Sequence, residues 1–113
     1  MRLRADIWVA AYLRRCAVEG AYAVLRHRGA AEAGAIFIKV DRLDGTAALF
    51  GPAPQTEIGE TGIERTWVRA HKAPWMGPAD IDERLRRELS FDPDIWIVEI
   101  EDREGRCFLD LAA

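Results

Sequence analysis

The chain reads as an α+β domain. Two helices accompany a mainly antiparallel sheet of about five or six strands, in the order α-β-β-β-β-α-β-β. Three observations lead there. Apolar and polar residues alternate with period two in several short runs. Hairpin-type turn signals separate those runs. Two stretches carry helical spacing, and no strand–helix–strand unit repeats along the chain. A small, strongly curved, barrel-like sheet is the second reading. With 113 residues the chain is expected to be a single domain over 1–113, long enough to bury a core without disulfide or metal staples.

Residues 6–19 are read as the first helix, with Asp6 as its cap and Gly20 after its end. Val9, Leu13, Cys16 and Ala17 share one face, and Ile7, Ala11 and Val18 roughly the opposite one. A helix apolar on two sides is either sandwiched or packs on a partner. Ile, Trp, Val and Tyr would also suit a strand over 7–13; the Ala-rich middle and Arg14-Arg15 favour helix. Residues 21–28 form the first expected strand. In residues 35–42, Ile36, Ile38 and Val40 point one way and Phe37, Lys39 and Asp41 the other. Asp44-Gly45 signals a two-residue hairpin, since both central positions of that turn need φ > 0. Thr46 to Phe50 is the return strand.

Residues 51–63 hold two Pro and three Gly and read as the longest loop. Glu64 to His71 alternate again as a strand. Pro78 to Leu89 read as the second helix, with Pro78 in its first turn, acids near its positive end, and Asp80 and Glu83 at capping-box spacing. Its single stripe of Ile81, Leu85 and Leu89 marks a surface helix. Asp92-Pro93 turns the chain into a strand at Ile95 to Glu101, with Trp96, Val98 and Ile100 on one face and Ile97, Glu99 and Glu101 on the other. A turn at Asp102 to Gly105 leads to a last strand from Arg106 to Leu111. The phrase Asp-Ile-Trp occurs twice, at Asp6 to Trp8 and Asp94 to Trp96, so both ends are expected to be anchored in one core.

The run FDPDIWIVEIEDREGR (Phe91 to Arg106), with DIWVAAYLRRC near the start and IFIKVDRLDG in the middle, resembles an uncharacterised alphaproteobacterial family of short cytoplasmic proteins classed as a domain of unknown function. The resemblance covers nearly the whole chain. It implies a stand-alone bacterial domain and supplies no catalytic residue, cofactor or ligand to carry over.

Composition narrows the function classes. The net charge of −3 gives no whole-chain reason to expect nucleic acid. Charge is nevertheless uneven: residues 1–28 carry six Arg against two acids, and residues 80–104 carry ten acids against four Arg. Either basic packs on acidic within the chain, or a head-to-tail partner contact exists; the first is the simpler. No apolar run approaches the ~20 residues of a membrane span, and no signal peptide is recognisable. Cys16 and Cys107 form no CxxC pair, so a cytoplasmic protein with two reduced thiols is expected.

No phosphate-loop, dinucleotide or GxSxG motif occurs, and no cofactor is expected. Cys16 and Cys107 read as core residues. His27 and His71 each end an expected strand; if those strands were neighbours, the two imidazoles with Glu99 or Asp110 would suit zinc or iron. The acids Asp92, Asp94, Glu99, Glu101, Asp102 and Glu104 are read as a solvated face rather than a Mg²⁺ or acid–base site. The aromatic-basic group Trp67, Arg69, His71, Lys72 and Trp75 is the candidate ligand or partner surface, where stacking and charge suit a nucleotide, an anionic ligand or an acidic peptide. Its structural alternative puts Trp67 in the core with Arg69 and His71 at the rim.

The leading functional reading is a small binding or interaction domain that self-associates as a dimer, with Ile7, Ala11, Arg14 and Val18 as candidate interface. A small metal-dependent enzyme using His27, His71 and a carboxylate is the second. Weak RNA or single-strand binding through the Trp67–Trp75 surface is the third, opposed by the acidic balance. With no catalytic motif, binding is favoured over catalysis.

Overall fold

A computed structural model describes residues 3–54 and 65–112. Its elements are α1 (Ala5–Val18), β1 (Tyr22–His27), β2 (Ile36–Asp41), β3 (Ala47–Pro52), β4 (Trp67–Arg69), α2 (Pro78–Phe91) and β5 (Trp96–Glu101). One open five-stranded sheet has the order β1-β5-β2-β3-β4. It is not closed into a barrel. Three of the four pairings are antiparallel, and β2 with β5 is parallel. The last strand in sequence therefore enters the middle of the sheet, between β1 and β2.

That position explains the composition of the two central strands. Ile-Phe-Ile-Lys-Val and Trp-Ile-Val are nearly continuous apolar runs, as expected of strands covered on both faces. The alternation read from sequence holds. Ile36, Ile38, Val40, Trp96, Val98 and Ile100 face α1, packing with Val9, Tyr12 and Cys16. Phe37, Leu49 and Ile97 face α2 and meet Ile81 and Leu85. Each such fully buried side chain contributes about 1.5–3 kcal/mol. Lys39 also faces α2 and is only 3% exposed. Its ammonium meets Asp82 at 2.9 Å and Glu99 at 3.6 Å, and Glu99 also pairs with Arg26 of β1. The Arg26–Glu99 contact is one place where the basic start and the acidic end of the chain meet within the molecule.

The helix starts differ from the expected ones. Asp6 is not a cap. The α1 N-terminus is covered by main-chain carbonyls instead: Ala5 N donates to Glu32 O at 3.1 Å and Asp6 N to Ala31 O at 3.0 Å. Asp6 turns back to Arg4, both contacts at 3.2 Å. For α2 the cap residue is Gly77, with Pro78 following and no side-chain cap bond, so Asp80 and Glu83 lie inside the helix and form no capping box.

Two turns also differ. The β2–β3 connection spans residues 42–46 rather than two residues, closed by Arg42 N to Thr46 O at 3.0 Å. Leu43 (φ 64) and Gly45 (φ 87), not Asp44, take the left-handed conformation. Asp41 Oδ1 accepts from Leu43 N at 2.8 Å and Asp44 Oδ1 from Thr46 N at 3.0 Å, so the aspartates shape the turn through side chains. The expected sixth strand over Arg106 to Leu111 is not a strand. Phe108 breaks it with φ 55, and only Leu111 makes a single parallel bridge, to Trp67. The loop expected over 51–63 lies mostly outside the described residues, as does the start of the strand expected from Glu64.

The loop of residues 28–35 holds both Asp-Ile-Trp copies. Ala31 and Glu32 cap the helix of the first. For the second, Ala30 N donates to Asp94 O at 2.9 Å, and the Trp96 indole N–H donates to Ala30 O at 2.8 Å. A Cβ at Gly29 or Gly34 would run into the Asp94 carbonyl, so the close approach requires glycine at both positions. Both copies join one core cluster, although the ring that meets Trp8 is Trp67, not Trp96.

Candidate functional site

The expected aromatic-basic surface divides into a core part and a surface part. Trp67 is 3% exposed, donates its indole N–H to Ile36 O at 3.0 Å, and lies 4.6 Å from the Trp8 ring. It therefore cannot meet a ligand, and its place on that surface is corrected. Arg69 follows on the same face, exposed at the rim. Its guanidinium lies 4.9 Å from the Phe50 ring centre and 5.2 Å from that of Trp75. This is the structural alternative, with Trp67 in the core and Arg69 at its rim. The guanidinium over the buried Phe50 and the half-buried Trp75 lets a cation share the face of Trp67.

His71 belongs to the scaffold. Leu49 N donates to its Nε2 at 3.0 Å, so Nδ1 carries the proton and donates to Ala73 O at 2.6 Å. Both ring nitrogens are occupied, and the imidazole continues the β3 hydrogen bonding where β4 ends. Lys72 is exposed and Trp75 half-buried. Arg42 lies 3.6 Å over the Trp75 ring, so this indole carries two guanidiniums. Arg42 is the member of the cluster that sequence reasoning missed, because the β2–β3 turn supplies it.

His27 and His71 do not meet. β1 and β4 are opposite edges of the sheet, four strand spacings or about 19 Å apart. His27 Nδ1 is bonded to Ile95 O at 2.8 Å. The neighbouring strands that a shared metal would need are absent, and no group of metal-ligating side chains occurs among the described residues. The acidic group is partly structural. Glu99 serves Lys39 and Arg26, and Asp102 is buried and held by Arg106 at 2.7 and 3.1 Å. That contact keeps the Asp102 carboxyl below the usual carboxylate range. Cys16 is buried and burial pushes its thiol up, while Cys107 is half-buried. Both suit packing rather than nucleophilic chemistry.

A groove lies where sequence analysis placed a strand. It runs between α1 and residues 108–110, encloses about 310 Å³, and is lined by Leu3, Trp8, Tyr12, Arg15, Phe108 and Asp110 among others. Its floor is rigid. Trp8 stacks on Tyr12 with ring centres 4.7 Å apart and rests on Trp67 behind. Tyr12 Oη donates to Cys107 O at 2.6 Å and so pins the far wall; burial raises the Tyr12 phenol, which stays protonated. Phe108 stands in its left-handed backbone between two guanidiniums, Arg15 at 5.7 Å and Arg106 at 5.1 Å. The visible sequence signal was the Trp8–Tyr12 spacing of one helical turn. The opposite wall lies ninety-five residues away and had no local signature.

Beside the groove, the outer side of α1 presents Ile7 at 49% exposure and Val18 at 83%, with Ala11 and Arg14 exposed on the same stripe. The buried stripe of Ala5, Val9, Tyr12 and Cys16 faces away from it. No helix among the described residues is long and apolar enough to cross a membrane.

Residues 3–110 match the family described as "Protein of unknown function (DUF1491)". The crystal structure of a DUF1491 family protein from Caulobacter crescentus CB15 is similar, at 41% identity over 100% of both chains and a TM-score of 0.82. The solution structure of protein Atu0922 from A. tumefaciens is 36% identical over 99% of this chain and 96% of that one, with a TM-score of 0.83. An NMR structure of a DUF1491 family protein from Caulobacter crescentus CB15 is 42% identical over 100% and 99%, with a TM-score of 0.80. No curated protein matches the chain.

Proposed function

The chain belongs to the DUF1491 family, and from that premise we propose that it is a small interaction domain that self-associates through the outer face of α1. The observation that carries this reading is the alignment of Ile7, Ala11 and Val18, with Arg14, on the side of α1 turned away from the core. Single exposed aliphatics are ordinary. A stripe of them along one helix is the pattern of a covered face. A two-fold pair of α1 helices is the simplest closed arrangement, and Ala11 near the middle allows close approach. The free thiols of Cys16 and Cys107 suit the reducing cytoplasm.

Sedimentation of the full chain over a wide concentration range tests the proposal. A dimer that Ile7→Glu with Val18→Glu converts to a folded monomer is the expected result. A wild-type chain that stays monomeric at the highest concentration overturns it.

A second reading has its own observation. The Trp75 ring between Arg42 and Arg69, with Lys72 nearby in sequence, fits an anionic or acidic partner.

A further inference from the structure

The groove between α1 and the C-terminal segment is charged oppositely at its two ends. At one end Arg15 lies over Phe108, one turn beyond the Tyr12–Cys107 hydrogen bond. At the other, Trp67 lies under Trp8 with its ring tilted by 35° and donates its backbone N–H to Asp110 O at 3.0 Å. Arg15 therefore stands at the Phe108 end, and Asp110, a lining residue of the groove, at the Trp8 end. Trp8 and Arg15 are two helical turns apart, about 10 Å at 1.5 Å per residue.

Length and charge together select the occupant. A free amino acid carries both charges on one carbon and reaches only one end. A fatty acid offers nothing to Asp110. An extended peptide advances ~3.3–3.6 Å per residue, so three steps cover the groove. Its central side chain then rests on Trp8, Tyr12 and Phe108. These walls are held before binding by the ring stack, the Tyr12 hydrogen bond and the two guanidiniums on Phe108, so little ordering is left to the encounter. The volume of about 310 Å³ suits one apolar anchor. Arg15 has a competing contact, Glu19 at 3.7 Å, but that exposed pair is weak enough to exchange.

We propose that this groove binds an extended peptide segment with an apolar anchor, flanked by an acidic side chain at Arg15 and a basic one at Asp110. The groove borders the outer stripe of α1 and shares Ala11 with it, but the inference uses none of Ile7, Arg14 and Val18 and does not rest on self-association.

The test is an NMR titration of the nitrogen-labelled full chain with capped tetrapeptides, following the Trp8 indole N–H. Lys-Leu-Phe-Glu should shift that signal saturably, and Gln-Leu-Phe-Gln should bind roughly tenfold more weakly, the loss of two exposed charge pairs. Asp110→Lys should exchange the preference to Glu-Leu-Phe-Glu, and Arg15→Glu to Lys-Leu-Phe-Lys. Both substituted residues are exposed, so the fold should persist. No saturable shift with Lys-Leu-Phe-Glu, or the same order of affinities in both variants as in the wild type, overturns the proposal.

Discussion

The two faces of the sheet are held by different forces. On the α1 face the central strands offer Ile36, Ile38, Val40, Trp96, Val98 and Ile100, all buried and all apolar. Adhesion there scales with area and has no direction. On the α2 face the same strands place Lys39 and Glu99 among Phe37, Leu49 and Ile97. Charges then run from Arg26 on β1 to Glu99 on β5, Lys39 on β2 and Asp82 on α2. Helix α2 has a narrow apolar stripe with Ile81 and Leu85 as its buried members, so its seat needs direction as well as area. The contrast teaches that the first helix is held by how much it buries and the second by where its carboxylate lands.

The largest expected effect is on the apolar face. Trp67→Ala should cost about 3–5 kcal/mol in denaturant unfolding, because it opens a cavity under Trp8 and orphans the Ile36 carbonyl. A loss under 1 kcal/mol would break the contrast. On the other face, Lys39→Ala should cost about 1–3 kcal/mol, mainly from carboxylates left without their cation. Lys39→Met with Glu99→Leu should recover most of it, since paired apolar replacements of buried ions are often neutral. If the double variant stays as unstable as the single, direction is not what Lys39 supplies.

The smallest effect is a pH dependence. Arg106 depresses the folded-state Asp102 carboxyl, so its contribution is complete above the unfolded value of about 4 and is lost as pH falls through that value toward the folded one. Asp102→Asn should flatten the thermal-unfolding profile below about pH 4. An unchanged acid limb would remove Asp102 from the account.

Local patterns carried much of this fold. Period-two alternation in β2 and β5 assigned every side chain to its face, and both helices begin within a residue of their expected positions. The insertion of β5 between β1 and β2 was not legible, because strand pairing between segments so far apart in sequence leaves no mark in a local run. Trp67 was misplaced for a related reason: alternation tells which side a residue faces, not how deep that side is at its position. Sequence could place Arg69, Lys72 and Trp75 near one another along the chain, whereas Arg42 and the Phe108 wall come from distant turns. A turn residue such as Leu43, left-handed without being glycine, defeats any rule based on residue type.

The loop of residues 28–35 has a consequence for the order in which the chain can be completed. The α1 N-terminus is sealed by Ala31 and Glu32, yet that loop rests on Asp94 and Trp96, which come far later along the chain. The middle of the sheet stays empty until the same strand arrives. Helix, loop and sheet centre must therefore close together once β5 is present, in one step dominated by distant contacts, which places this small domain among the slower folders of its size.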